Sequence, residues 1–275
     1  MKHKNWSPLR YPGGKACLAE EIKQLLEKNN LVGGAYAEPF AGGAGLALNL
    51  LFSGFVSKIY INDLDRSIYA FWHSVLNEPE RLVSTMENTP ITVDEHERQL
   101  AVQFNKEKAS LFDLGFSTFF LNRTNVSGVV RGGIIGGKNQ TGKYKIDARF
   151  NKVALADKIR KIAELKPWIH LSNEEASDFL ARMETELPTD SLVFLDPPYF
   201  VKGASLYYNH FSNDDHTILA NNVKKYSKHW IVSYDNVKEV RQLYKPHRHK
   251  TYSLNYSVKE HYQGSEVMFF SAGLH

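Results

Sequence analysis

GAYAEPFAGGAGLALNLLF, residues 34–52, joins three elements in nineteen residues. A short apolar run ends at an acid, Glu38; a turn containing Gly42, Gly43 and Gly45 follows; an apolar helix comes next. Strand, glycine turn and helix in that order open a parallel α/β unit, and the glycines let the backbone come close to a ligand at the carboxyl ends of the strands. Such turns also occur for purely structural reasons, so the following strand matters. KIYINDLD (58–65) ends in acids, and Asp63 falls near the ~20-residue spacing at which a carboxylate reaches a ribose diol. The alternative role for Asp63 is to cap the helix that begins near Asp65. GGAGLA fits the dinucleotide pattern G-x-G-x-x-G poorly, which points to an adenosine-bearing ligand instead.

Around this unit, strands and helices alternate. KACLAEEIKQLLEKN places Leu18, Ile22, Leu25 and Leu26 at helical spacing before it. RSIYAFWHSVLN reads as a helix after the second strand. From Pro79 to about residue 124 the pattern is helical, and NVSGVVRGGIIGGKNQTGKYKIDARFN is then glycine-rich and basic, with β-branched pairs that predict a hairpin. Alternation resumes with a helix from residue 151, the strand WIHLS, a helix in EEASDFLARMETE, the strand SLVFLDPPYF, a helix capped by Ser212 or Asn213, and the strand HWIVSYDN. The chain ends in two strands expected to turn at Gly264. The pattern predicts a mostly parallel sheet covered on both faces, with an antiparallel end. Residues 66–150 interrupt it as an inserted unit, leaving 1–65 and 151–275 as the parent domain.

Composition sets the outer bounds. Hydrophobic residues make up 43% of the 275, enough for a substantial core. A single cysteine, Cys17, excludes an internal disulfide and a cysteine-rich zinc site. No apolar run approaches the ~20 residues of a membrane helix, and the N-terminus lacks a secretory core; a soluble, cytoplasmic protein is expected. The net charge of +4 is mild and only slightly favours a nucleic-acid partner.

The strand LVFLDPPYF (192–200) carries the chemistry. Asp196 falls at its carboxyl end, facing the ligand crevice. Pro197 and Pro198 hold the turn extended and donate no backbone hydrogen bonds, which leaves the Pro197 carbonyl as an outward acceptor. Asp196 is a second acceptor, so the pair suits a group with two donor hydrogens, an exocyclic amine. Tyr199 offers a ring on which a flipped base could stack.

DPPY together with EPFAGGAG and the leading PLRYPGGK resembles the alpha group of amino-group methyltransferases, the Dam-like adenine-N6 DNA methyltransferases. The motifs come in that group's order over nearly the whole chain. The resemblance implies a Rossmann-like S-adenosylmethionine-dependent fold with an inserted, mainly helical DNA-recognition domain carrying a β-hairpin. It implies that Tyr11 (where a tryptophan is common) and Lys15 contact S-adenosylmethionine. Glu38, Phe40, Gly42, Gly43 and Gly45 would cradle its methionine and ribose, and Asp63 would bind the ribose hydroxyls. Asn173, Glu174, Glu175 and Asp178 are the candidates beside its adenine. Asp196 and the Pro197 carbonyl would accept both hydrogens of adenine N6 and aim its lone pair at the sulfonium methyl; no metal is required.

FFLNRTNVSGVVRGGIIGG (119–137) resembles the segment with which the family reads DNA. Asn122, Arg123, Asn125, Arg131 and Lys138 are its candidate contacts, since arginine reads guanine and asparagine adenine. In the alternative, Asn122 and Arg123 only hold the hairpin while Lys138, Lys143 and Lys145 touch phosphates. Dam-like enzymes that read GATC carry aromatics after the asparagine–arginine pair; TNVSGVV has none. Tyr207 and Tyr208 are further stacking candidates. Duplex DNA is the implied partner, with a cognate restriction endonuclease acting on the same site, or with none if the enzyme acts alone. Cytosine-N4 or RNA-adenine methylation is the alternative within the enzyme class. A nicotinamide oxidoreductase gives DPPY no role, and a non-catalytic DNA-binding protein gives none to Lys15, Asp63 and Asp196.

Overall fold

Seven strands pair into one sheet: β1 (Ala35–Glu38), β2 (Lys58–Asn62), β3 (Ile169–Ser172), β4 (Leu192–Leu195), β5 (His229–Asp235), β6 (His249–Val258) and β7 (Glu260–Phe270). The computed structural model describes residues 5–11, 14–200, 211–258 and 260–275, with residues 254–258 and 260–263 described for their backbone alone and Tyr207 and Tyr208 outside the described residues. The strand order is β3-β2-β1-β4-β5-β7-β6. β1 to β5 run parallel, and β7 lies antiparallel between β5 and β6. This is the expected Rossmann-like arrangement with an antiparallel end. The chain moves outward from β1 to β3 and then crosses back to β4, so strand order reverses at β1 and β4. A crevice opens there, at the carboxyl ends of the strands.

Side chains alternate across the sheet, as a strand's two-residue period requires. Tyr36, Ile59, Ile61 and Phe194 enter one buried cluster, while Ala35, Ala37, Val193 and Leu195 enter another on the opposite face. The first is covered by α1 (Ala19–Lys28), α2 (Gly45–Phe52), α3 (Arg66–Asn77) and α7 (Lys152–Glu164). The second is covered by α8 (Ala176–Glu186), α9 (Asn213–Lys225) and α10 (Lys238–Leu243). Ser212 caps α9 in a reciprocal box with Asp215.

Between β2 and β3 lie α4 (Pro79–Asn88), α5 (Val93–Phe104) and α6 (Leu111–Thr124). Their starts are written locally: the side chains of Thr92 and Ser110 accept from Glu95 and Asp113 backbone N–H groups. Phe71 and Trp72 of α3, Leu82 of α4, and Phe116, Phe119 and Phe120 of α6 belong to the same buried cluster as the sheet residues. α3, α4 and α6 therefore share a core with the sheet.

Two local expectations are corrected. The segment after α6 forms no hairpin: Asn125 and Ile134 make an isolated antiparallel bridge, and the rest turns irregularly. Side-chain amides replace the ladder there, with Gln140 donating to the carbonyls of Ile135 and Gly137 and accepting from the Ile146 N–H. The terminal strands do not turn at Gly264, which sits within β7 opposite Leu254; the register closes at Val258 and Glu260.

Candidate active site

The glycine turn is shaped by its neighbour Tyr11. Gly42 has φ +46°, and a Cβ there would lie 2.6 Å from the Tyr11 ring. The Gly42 N–H donates to Asp63 Oδ2 (2.8 Å), and its carbonyl accepts from the Trp72 indole (2.9 Å). The turn is thus fixed from both sides, and it leaves Tyr11, Gly43 and Gly45 lining the crevice. Gly42 itself supports the turn from behind.

Glu38 closes β1, is 6% exposed, and lines the same crevice. Its Oε1 accepts from the Tyr36 hydroxyl (3.0 Å) and the Ala47 N–H (3.1 Å). Burial pushes its carboxyl up to about 8. Asp63, after β2, accepts from Gly42 and from the Asp65 N–H (2.9 Å), and burial followed by the Asp65 charge raises it to about 7. Asp65 is the residue that caps α3, so Asp63 is left for the crevice. Phe40 meets Phe211 edge-on at 5.7 Å and supplies an apolar wall.

One buried residue behind the crevice carries no motif signal. Asn62, 1% exposed, donates to the carbonyls of Pro39 and Glu174, and accepts from Ser172 Oγ and the Glu174 N–H. It knits together the segments after β1, β2 and β3 that form the crevice rim. Of the four candidates beside a cofactor adenine, Glu174 and Glu175 line the crevice. Asn173 directs its amide to the carbonyls of Asp63 and Leu64 instead.

Asp196 follows β4 on the other side of the reversal and is a quarter exposed (26%). Lys15, carried in by a short 3-10 turn and only 3% exposed, lies 2.8 Å from Asp196 Oδ1 and 3.4 Å from Glu266 Oε2. Burial disfavours the Lys15 charge, but Asp196, Tyr252 and Glu266 outweigh it and hold the ammonium well above its usual range. Burial raises Asp196 to about 6; Lys15 opposes that rise and Glu266 adds to it. Pro198 lines the crevice, whereas Pro197 is buried beside it. Tyr199 is not the exposed ring expected from the sequence: it is 6% exposed and donates to Glu266 Oε1 at 2.9 Å.

The predicted DNA contacts divide. Asn122 is 1% exposed; it accepts from the Arg10 N–H (2.7 Å) and donates to the carbonyls of Arg10 (2.9 Å) and Gly128 (2.7 Å). Asn125 is fully buried against His96 and the carbonyls of Val129 and Val130. Both amides are committed to the protein, which corrects their assignment to base reading. Arg123 spans the Pro8 and Arg149 carbonyls, and burial, with Arg10 and Arg149 nearby, lowers it to about 10. Arg131 and Lys138 are exposed, the latter 84% so and 3.8 Å from Glu97. Gly128 lets this segment press on the N-terminal strap: with φ +78°, a Cβ there would meet the Arg10 carbonyl at 2.1 Å.

A family model for D12 class N6 adenine-specific DNA methyltransferases matches residues 11–259. The chain belongs to that family. Its activity is accordingly S-adenosylmethionine-dependent methylation of adenine N6 in DNA. The type II methyltransferase M.CviBI of Paramecium bursaria Chlorella virus NC1A is 24% identical over 254 residues, covering 92% of each chain. Among solved structures, PH1948 of Pyrococcus horikoshii aligns with a TM-score of 0.47 at 11% identity, over 98% of this chain and 87% of that one. A SAM-dependent methyltransferase of Agrobacterium tumefaciens aligns at 0.44 and 10% identity, over 94% of this chain and 61% of the other. Among the described residues no helix is long and apolar enough to cross a membrane.

Proposed function

We propose that this D12 methyltransferase works on a single adenine extruded from duplex DNA at a defined sequence, with Asp196 as the acceptor that orients and activates the amine. The observation that carries this reading is the placement of Asp196 across the strand-order reversal from Glu38 and Asp63, in one crevice.

The residues present fit S-adenosylmethionine. Asp63 has lone pairs beyond its two backbone bonds for a ribose diol. Tyr11, Gly43 and Gly45 line the crevice, where a Cβ at either glycine would press on Tyr11 or Ala16. Glu38 faces the same space, and residues 174–176 border the place for the adenine ring. When bound, the cofactor supplies an electrophilic methyl group on a sulfonium sulfur.

Adenine N6 is a poor nucleophile because its lone pair is delocalised into the ring. Asp196, together with the Pro197 carbonyl, accepts the two N6 hydrogens and draws the nitrogen toward tetrahedral geometry. The bound sulfonium would give up its methyl group to N6 and keep the bonding electron pair, and the proton that N6 then loses would pass to Asp196 or to water. The acceleration comes from alignment and from a fixed negative group where positive charge develops. A base inside a duplex cannot reach Asp196 and has to be turned out of the stack.

Residues 66–150 carry target recognition in this reading, with Arg131 and Lys138 as contacts to DNA. The type II relative supports a cognate endonuclease acting on the same site. Sequencing of plasmid methylated by the enzyme identifies the target; 2-aminopurine placed at the methylated adenine then brightens on binding if the base is extruded, and stays quenched if it is not.

A further inference from the structure

Glu266 belongs to none of the sequence motifs, yet it touches Tyr199 of DPPY directly and reaches Asp196 through Lys15. It lies on the reversed strand β7 and is 1% exposed. Its Oε1 accepts from the Tyr199 hydroxyl at 2.9 Å. Its Oε2 takes a short hydrogen bond from the Tyr252 hydroxyl, lies 3.4 Å from Ser233 Oγ, and lies 3.4 Å from the Lys15 ammonium. Lys15 in turn reaches both oxygens of Asp196, at 2.8 and 2.9 Å.

A lysine seated on a carboxylate weakens it as an acceptor, because the pair is neutral. A second carboxylate behind that lysine changes the balance: the three charges sum to one negative, and the ammonium's field is divided between two anions. Burial of an ammonium with a single partner is also costly, and the second carboxylate lowers that cost.

We propose that Glu266 is a positioning residue for methyl transfer: from behind the active site it fixes Lys15 and the Tyr199 ring, and it keeps Asp196 a net anionic acceptor toward the amine. This rests on the catalytic role proposed for Asp196 above.

The groups facing Asp196 bound what a pH profile reports. They are Lys15 and Cys17 on the N-terminal 3-10 turn, Tyr36 and Glu38 on β1, Tyr199 after β4, Tyr234 on β5, Tyr252 on β6 and Glu266 on β7. Lys15 and the phenols of Tyr36, Tyr234 and Tyr252 are held above their usual ranges and Cys17 is raised by burial, so they keep their charge through pH 5–7. Asp196 remains as the group whose carboxyl, raised by burial to about 6, changes charge there.

The test uses the full chain with S-adenosylmethionine and its target DNA, comparing Glu266→Gln with wild type and Asp196→Ala. In Glu266→Gln, kcat falls by about a hundredfold, while KM for both substrates and cofactor binding stay close to wild type. The acid limb of the kcat profile moves to lower pH, because a negative neighbour that raises Asp196 is gone. A residue that only packs would leave that limb where it is, so an unmoved limb or an unchanged kcat overturns the proposal. If Glu266→Gln does not fold or turns over too slowly for a profile, Tyr199→Phe decides: it keeps the ring, removes one bond to Glu266, and lowers kcat severalfold, whereas unchanged kcat overturns the proposal. Retained turnover in Asp196→Ala instead defeats the catalytic reading of Asp196. An inactive Asp196→Ala beside a wild-type Glu266→Gln defeats the positioning role alone.

Discussion

Lys15 grips Asp196 by both carboxylate oxygens, at 2.8 and 2.9 Å, across 181 residues of chain. The contact joins the N-terminal segment to the end of β4, and its ammonium opposes the rise that burial gives the carboxyl of the proposed acceptor. With Asp196 raised to about 6, turnover falls as pH drops through that value, because the protonated acid no longer accepts from the amine. Removing the ammonium leaves Asp196 and the buried Glu266 without their cation. Lys15→Met therefore moves the acid limb of the kcat profile to higher pH, opposite in direction to Glu266→Gln. A limb that stays in place in Lys15→Met contradicts the pairing as a functional one.

Cofactor binding should release protons near neutral pH. Glu38 and Asp63 are raised by burial to about 8 and about 7, so both hold protons part of the time in the free protein at pH 7. A ribose diol donating to Asp63 and a cationic ligand beside Glu38 favour the ionised forms. Affinity for S-adenosylmethionine then increases as pH rises from 6 to 8. Titration calorimetry in buffers of different ionisation enthalpy reads this directly, and an enthalpy independent of buffer is the contrary result.

Gly42→Ala tests the cradle. The new methyl would sit 2.6 Å from the Tyr11 ring, on a backbone at φ +46° that costs an L-residue about 1–2 kcal/mol. Cofactor affinity should fall at least tenfold as Tyr11 is pushed into the crevice. Tyr11→Ala in the same chain relieves the clash but not the backbone strain, so the double variant binds better than Gly42→Ala alone. Strictly additive losses in the two substitutions would show that the ring and the turn are uncoupled.

Asn122 and Lys138 should behave oppositely. Asn122→Ala leaves the Arg10 N–H and the carbonyls of Arg10 and Gly128 without a partner and costs at least about 2 kcal/mol of stability, measured by denaturant unfolding. The methylated sequence stays the same. Lys138→Ala and Arg131→Ala leave stability almost unchanged and weaken DNA binding, with the salt dependence of log K reduced by about one for each phosphate that is no longer neutralised. A relaxed target sequence in a stably folded Asn122→Ala would restore that residue to base reading.

These two outcomes show where the sequence was legible. DPPY and the glycine turn could be placed because each marks the end of an apolar strand, and strand ends in a parallel sheet face the crevice wherever the rest of the chain goes. Asn122 and Asn125 are ambiguous in the sequence because an amide that suits an adenine edge also suits a backbone carbonyl; only burial separates the two, and burial depends on Arg10 arriving from more than a hundred residues away. Asn62 and Glu266 are silent in the sequence for the same reason. Each is a polar residue within a strand and outside any motif, and its meaning lies in what other segments bring: Glu174 in one case, Lys15 and Tyr199 in the other. The hairpin expected after α6 failed because Gln140 and Asn125 satisfy the backbone groups that a ladder would have used.

The most direct measurement is the yield of N6-methyladenine, by mass spectrometry of digested nucleosides, after incubation of DNA and S-adenosylmethionine with wild type and with Asp196→Ala at equal cofactor occupancy. N6-methyladenine from the wild type, reduced by at least about a hundredfold in the variant, is the result expected if Asp196 is the acceptor. Undiminished N6-methyladenine in Asp196→Ala would place the chemistry elsewhere in the crevice and contradict it.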